Sequence, residues 1–167
     1  MRWLVTFALL CGCVEPPVAP VLPPTALQSI EASRDLDGGV VGTYGRPTIV
    51  ITFASWCSHC HEELATLAAL RADHPGVRIL GVNYIAHEVY AGRGNAQAVR
   101  AYVAQHAPWL RVVPADDALF AVLGRPPLIP TLYVFDRSGA LVETYDRRYR
   151  AAPSVDELAE LLGRLGA

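Results

Sequence analysis

Cys57 and Cys60 stand where the hydrophobic pattern of the chain changes its period. Upstream, Thr48-Ile49-Val50-Ile51-Thr52 is a β-branched run that reads as a buried strand. Downstream, Leu64, Leu67 and Ala68 recur at helical spacing. The Cys-x-x-Cys therefore falls where a strand ends and a helix begins. The first turn of a helix carries unpaired N–H groups and the positive end of the dipole, and both stabilise a thiolate. The spacing puts both sulfurs on one side of that turn, within bridging reach. Zinc sites use the same spacing, but a structural zinc site needs a second ligand pair, and there is no second Cys-x-x-Cys.

The rest of the chain alternates strands and helices. The central strand is expected over about 48–54 and the following helix over about 57–73, stopping near Pro75-Gly76. Val77 to Asn83 reads as the next buried strand, which makes a βαβ unit with parallel pairing and a right-handed crossover. Tyr84 to Gly94 reads as a loop or broken helix, and Asn95 caps a helix to about His106. Trp109 to Val113 is a short strand candidate, and Asp116 caps a brief helix to Leu123. Leu132 to Asp136 and Ala140 to Tyr145 form an antiparallel hairpin, and Pro153 or Ser154 opens a last helix to about Leu165. Thr25 to Val41 is ambiguous: residues 26–32 suit a short helix or an edge strand, and Asp37-Gly38-Gly39 is a turn.

Trp56-Cys57-Ser58-His59-Cys60, with Glu63 following, resembles the active site of the thioredoxin superfamily, in particular the membrane-anchored TlpA/ResA-type thiol-disulfide oxidoreductases. Ile129-Pro130-Thr131 matches the loop in which that superfamily carries a cis-proline; a trans proline opening a strand is the other reading. The resemblance implies an α/β, thioredoxin-like fold: a central mixed sheet flanked by helices, with a TlpA-like insertion between the second parallel strand and the proline loop. It also implies a redox-active Cys57–Cys60 disulfide. Cys57 would be the exposed nucleophile, Cys60 the resolving thiol facing the core, and Trp56, Ile129 and Thr131 the partner contact. No cofactor and no metal is implied.

Two further residues carry expectations. Thioredoxin places a buried aspartate six residues before its first cysteine; Ile51 stands there, so Glu63 is the substitute proton acceptor if burial raises its pKa, or else an exposed acid on the helix dipole. His59 departs from the proline common in TlpA-like members. Beside Cys57 an imidazole would stabilise the thiolate and make the couple more oxidising, or it is simply solvated. His61, His74, His87 and His106 read as surface residues.

Residues 1–12 read as a signal peptide that is too short to span a membrane, and Leu10-Cys11-Gly12-Cys13 looks like a bacterial lipobox. Cys13 would then be lipidated; the alternative is an ordinary secretory signal. Residues 13–24 hold the lipid-bearing cysteine and a proline-rich tether, and 25–167 the folded domain. The expected setting is the cell envelope, lipid-anchored and facing the periplasm or the cell exterior, with the outer membrane favoured by Val14. The expected partners are protein thiols and disulfides, and the chain is expected to be a monomer. With a net charge of −2 and no basic block, nothing suggests nucleic acid. Two alternatives remain open: a Cu(I)- or zinc-binding module built on the two thiolates with His59 or His61, and a redox-inert interaction lipoprotein.

Overall fold

The computed structural model describes residues 22–23, 25–42 and 45–166. The expected signal peptide, Cys13 and most of the tether lie outside the described residues. The elements run α1 (Ala26–Ala32), β1 (Thr48–Thr52), α2 (Ser58–Asp73), β2 (Arg78–Tyr84), α3 (Ile85–Glu88), α4 (Ala96–His106), β3 (Arg111–Ala115), α5 (Asp117–Val122), β4 (Thr131–Phe135), β5 (Leu141–Asp146) and α6 (Val155–Arg164). The five strands form one mixed sheet in the order β3-β2-β1-β4-β5. β1 pairs parallel with β2, and β2 with β3; β1 pairs antiparallel with β4, and β4 with β5.

β1 is central and buried along its whole length, which is why it is a β-branched run with no polar alternation. Ile49 and Ile51 join Leu64, Leu67 and Leu70 of α2 and Leu158, Leu161 and Leu162 of α6 in one core. Val50 lies in a second core with Ala26, Leu27 and Ile30 of α1 and with Tyr133 and Phe135 of β4. The period of two along each strand thus feeds both layers of a three-layer α/β sandwich. The segment between β2 and the proline loop supplies α4 and the edge strand β3. Side-chain caps start the helices as expected: Asn95 accepts from the Ala98 N–H, Asp116 from Leu119 and Ser154 from Glu157.

Several expectations sharpen. Residues 26–32 are a helix, because Leu27 and Ile30 have a core to fill that an edge strand would not reach. The hairpin around Asp37-Gly38-Gly39 is reduced to one antiparallel bridge, Arg34 to Val40, and Asp35 closes its turn by accepting from the Gly39 N–H at 2.8 Å. The edge strand starts at Arg111 rather than Trp109. The broken-helix segment is α3, followed by a 3₁₀ turn over Tyr90–Gly92 with Ala91 in the left-handed region at φ 53°.

Gly81 of β2 shows how tightly the first core is filled. A Cβ there would lie 2.9 Å from the Phe53 ring, 3.0 Å from Leu110 and 3.1 Å from Val112. Gly81→Ala is therefore expected to destabilise the domain by about 1–3 kcal/mol through overpacking. Gly76→Ala, whose Cβ meets nothing within 4 Å, should be neutral or slightly stabilising. Urea unfolding of the two variants beside the parent protein checks the contrast.

Candidate active site

The site is built at the end of the sheet where β1 and β2 leave and β4 enters. Cys57 caps α2: its sulfur accepts the Cys60 N–H at 3.2 Å, and the helix proper begins at Ser58. Cys57 and Cys60 are joined as a disulfide, with Cα atoms 5.2 Å apart. Cys60 is fully buried in the α2 core, as its shared face with Leu64 and Leu67 implies. Cys57, expected to be exposed, is only 6% accessible. It lies in a groove of about 460 Å³ whose walls are Trp56, His87, Tyr90 and Arg93 on one side and Pro127, Leu128 and Ile129 on the other. These walls are what cover it.

The Ile129–Pro130 peptide bond is cis, as the motif led us to expect. The Ile129 carbonyl oxygen lies 3.9 Å from Cys57 Sγ. Thr131, expected at the partner contact, is fully buried and occupied internally. Its N–H donates to Thr52 Oγ1 and its hydroxyl donates to the Leu128 carbonyl. The reason is that Thr131 is already the first paired residue of β4, opposite Thr52 and Asp146. Among the described residues the Ile129 N–H makes no hydrogen bond, and Ile129 lines the groove.

Glu63 is 3% exposed, and its Oε1 is buried without a hydrogen-bond partner. Desolvation pushes its pKa up from 4.5 to about 7, against a weaker opposing pull from Arg147. Glu63 is thus buried rather than an exposed acid on the helix surface. His59 is exposed at the rim, and its Nδ1 lies 3.3 Å from Glu62 Oε2 rather than against either sulfur. His87 departs from the surface reading. It is half-buried, its ring is edge-on to Tyr84 and Phe120, and its Nδ1 is enclosed without a partner. Burial accordingly pushes its pKa down.

The residue that sequence reasoning missed is Glu88. It is fully buried beneath the turn that carries the cysteines. Its carboxylate accepts from the Ser55 N–H at 2.9 Å, the Ser55 hydroxyl at 2.5 Å and the Asn83 amide at 2.9 Å. Its carbonyl accepts from Trp56 Nε1 at 2.9 Å. From the outer side, His61 Nε2–H donates to the Ser55 carbonyl at 2.8 Å, with its ring stacked on Tyr102 of α4 at 4.4 Å. Ser55 is thus held from both sides. A signal did exist in the sequence: an asparagine closing an otherwise apolar strand, followed five residues later by an acid and then by Gly92-Arg93-Gly94. A Cβ on Gly94 would lie 2.0 Å from Glu88 Oε1, so the glycine is there to admit the carboxylate.

With this geometry in view, the comparisons with known proteins agree on the fold. No protein-family model matches the sequence, and no curated protein does so at a meaningful level. Solved structures do match. DsbF of Mycobacterium tuberculosis, in mixed oxidised and reduced forms, superposes with a TM-score of 0.65 at 20% identity, covering 87% of this chain and 99% of that one. A secreted M. tuberculosis disulfide oxidoreductase homologous to E. coli DsbE gives 0.60 at 20% identity, over 80% and 92% of the two chains. The exposed lipoprotein thioredoxin Etrx1 of Streptococcus pneumoniae gives 0.57 at 19% identity, over 79% and 96%. The fold is thioredoxin-like.

The raised pKa of Glu63 has a stability consequence whose sign is fixed. The folded protein holds a proton that the unfolded chain releases between pH 4.5 and about 7. The stabilisation tied to neutral Glu63 is therefore fully present below pH 4.5 and is lost as pH rises through about 7, with a slope approaching about 1.4 kcal/mol per pH unit. Glu63→Gln should flatten that decline. Denaturant midpoints of the disulfide form at pH 4.5, 6 and 8 measure it, and an unchanged profile in the variant would show that Glu63 does not titrate in this range.

Proposed function

We propose that the protein is a thiol-disulfide oxidoreductase that exchanges disulfides with partner proteins. The observation that carries this reading is the Cys57–Cys60 pair capping α2 and lying in the groove against the cis Ile129–Pro130 bond. In the reducing direction the Cys57 thiolate attacks one sulfur of a partner disulfide, forming a mixed disulfide and releasing the partner's first thiolate. Cys60 then gives its proton to Glu63 and attacks Cys57 Sγ, releasing the partner's second thiolate. The protein ends oxidised by two electrons and the partner reduced by two; an external dithiol resets the pair. Glu63, one turn beyond Cys60 and poised near neutrality, suits the proton-transfer step. Ile129 offers backbone to an extended partner segment, a strand-addition contact, with Trp56 on the facing wall. His59, when protonated, adds positive charge at the rim.

The direct test is Cys60→Ser. It should accumulate a covalent complex with the partner that is released by dithiothreitol, whereas Cys57→Ser should trap nothing. Equal trapping by both variants, or by neither, would rule the exchange reading out.

The setting is part of the proposal. The composition of residues 1–13 and the likeness to a secreted oxidoreductase and to an exposed lipoprotein support an extracytoplasmic domain tethered through a lipid on Cys13. Among the described residues no helix is long and apolar enough to cross a membrane. Cys13→Ser is expected to move the protein from the membrane fraction to the soluble one, or to leave it uncleaved. A mature protein whose mass shows an unmodified N-terminus elsewhere would remove the anchor.

A further inference from the structure

Arg93 stands on the wall of the groove opposite the proline loop. Its guanidinium lies 4.9 Å over the Trp56 ring and 6.0 Å from the Tyr90 ring. Among the described residues it makes no ion pair, unlike Arg100, Arg148 and Arg150. The groove lining holds no aspartate or glutamate; its basic members are Arg93, His59 and His87, and its other titratable groups are Tyr90 and, once reduced, Cys57 itself. The chain carries 16 acids against 14 arginines, so an acid-free lining is a local departure from its surroundings. Two acids lie close by, and both are occupied: Glu88 beneath the turn by Ser55 and Asn83, and Glu62 at the rim by His59. The same wall exposes apolar surface, with Tyr90 62% accessible and Leu128 44% accessible across the groove.

We infer that this groove selects its partner by charge: it takes an extended protein segment that carries an acidic side chain within a few residues of the reactive cysteine. The inference rests on the exchange function proposed above and specifies its substrate. The physical grounds are two. The guanidinium sits over the Trp56 ring and makes no hydrogen bond among the described residues, so its fork of N–H donors is left for a carboxylate, which it matches bidentately. The apolar walls displace water from a bound segment, which strengthens the pairing beyond that of a fully exposed ion pair. A basic segment would bring like charge to Arg93 with no carboxylate in the groove lining to offset it.

The test uses the pre-reduced protein and three peptides, each with one disulfide. They are identical except that the residues flanking the attacked cysteine are acidic, neutral or basic. The readout is the ratio of kcat/KM for the acidic peptide to that for the basic one, taken within each protein, so that any general loss of activity cancels. We expect the parent protein to favour the acidic peptide by about tenfold at low salt, a coupling of roughly 1.4 kcal/mol, and to lose most of that preference near 1 M salt. Arg93→Lys should retain a reduced preference, Arg93→Gln should bring the ratio near one, and Arg93→Glu should invert it. Equal rates on the acidic and basic peptides, or a preference that survives Arg93→Glu, would overturn the inference while leaving the exchange function standing. A parent protein that reduces none of the peptides would overturn both. Oxidised glutathione serves as the small anionic alternative: an Arg93 dependence seen with it and absent with the peptides would reassign the groove to a low-molecular-weight disulfide.

Discussion

The reactive turn depends on one buried carboxylate. Ser55 and Trp56 leave β1 with backbone and side-chain donors pointing into the protein, where water cannot satisfy them. Each such orphan would cost about 1–3 kcal/mol. Glu88 accepts from both groups of Ser55 and from Asn83, while its own carbonyl takes the Trp56 indole. A single residue of α3 therefore fixes the segment immediately before Cys57 and, through it, the direction in which α2 starts. For the proposed exchange such rigidity matters, because the attacked sulfur, the nucleophile and the leaving sulfur must be brought into line.

Glu63 and Glu88 are both buried acids within reach of the same turn, and their surroundings differ in kind. Glu88 is enclosed by donors and serves as scaffold. Glu63 sits against the apolar face of α2 with one oxygen unpartnered and its proton held to about pH 7. Two like groups placed in unlike environments divide the work: one holds geometry, the other holds a proton.

Most of this fold could be read from residue patterns. The change of period at Cys57, the capping residues Asn95, Asp116 and Ser154, and the Ile129-Pro130-Thr131 loop each carry a local physical signal, and each appears where that signal put it. What could not be read depends on contacts between distant segments. Glu88 looks like a solvated acid in a polar loop until Asn83 and Ser55 are brought to it. The covering of Cys57 comes from walls about 30 and about 70 residues after it in the chain. The motif alone puts Thr131 at the partner contact; only the strand register shows that its N–H is taken by Thr52.

The mixed character of the sheet has a consequence for how such a protein can be varied. β2 runs parallel to β1, so its exit lies beside the exit of β1; β4 runs antiparallel, so its entrance lies there too. One strand ending and one strand beginning thus deliver two independent loops to the same edge, one on each side of the cysteines. Neither loop includes the helix that sets the chemistry. Apart from Trp56, the cysteine pair and the walls that flank it are therefore encoded in separate stretches of chain. Recharging an outward-facing wall position such as Arg93 or Leu128 leaves Glu88 and the turn that it holds in place, so the surface of the groove can vary around a fixed pair of sulfurs.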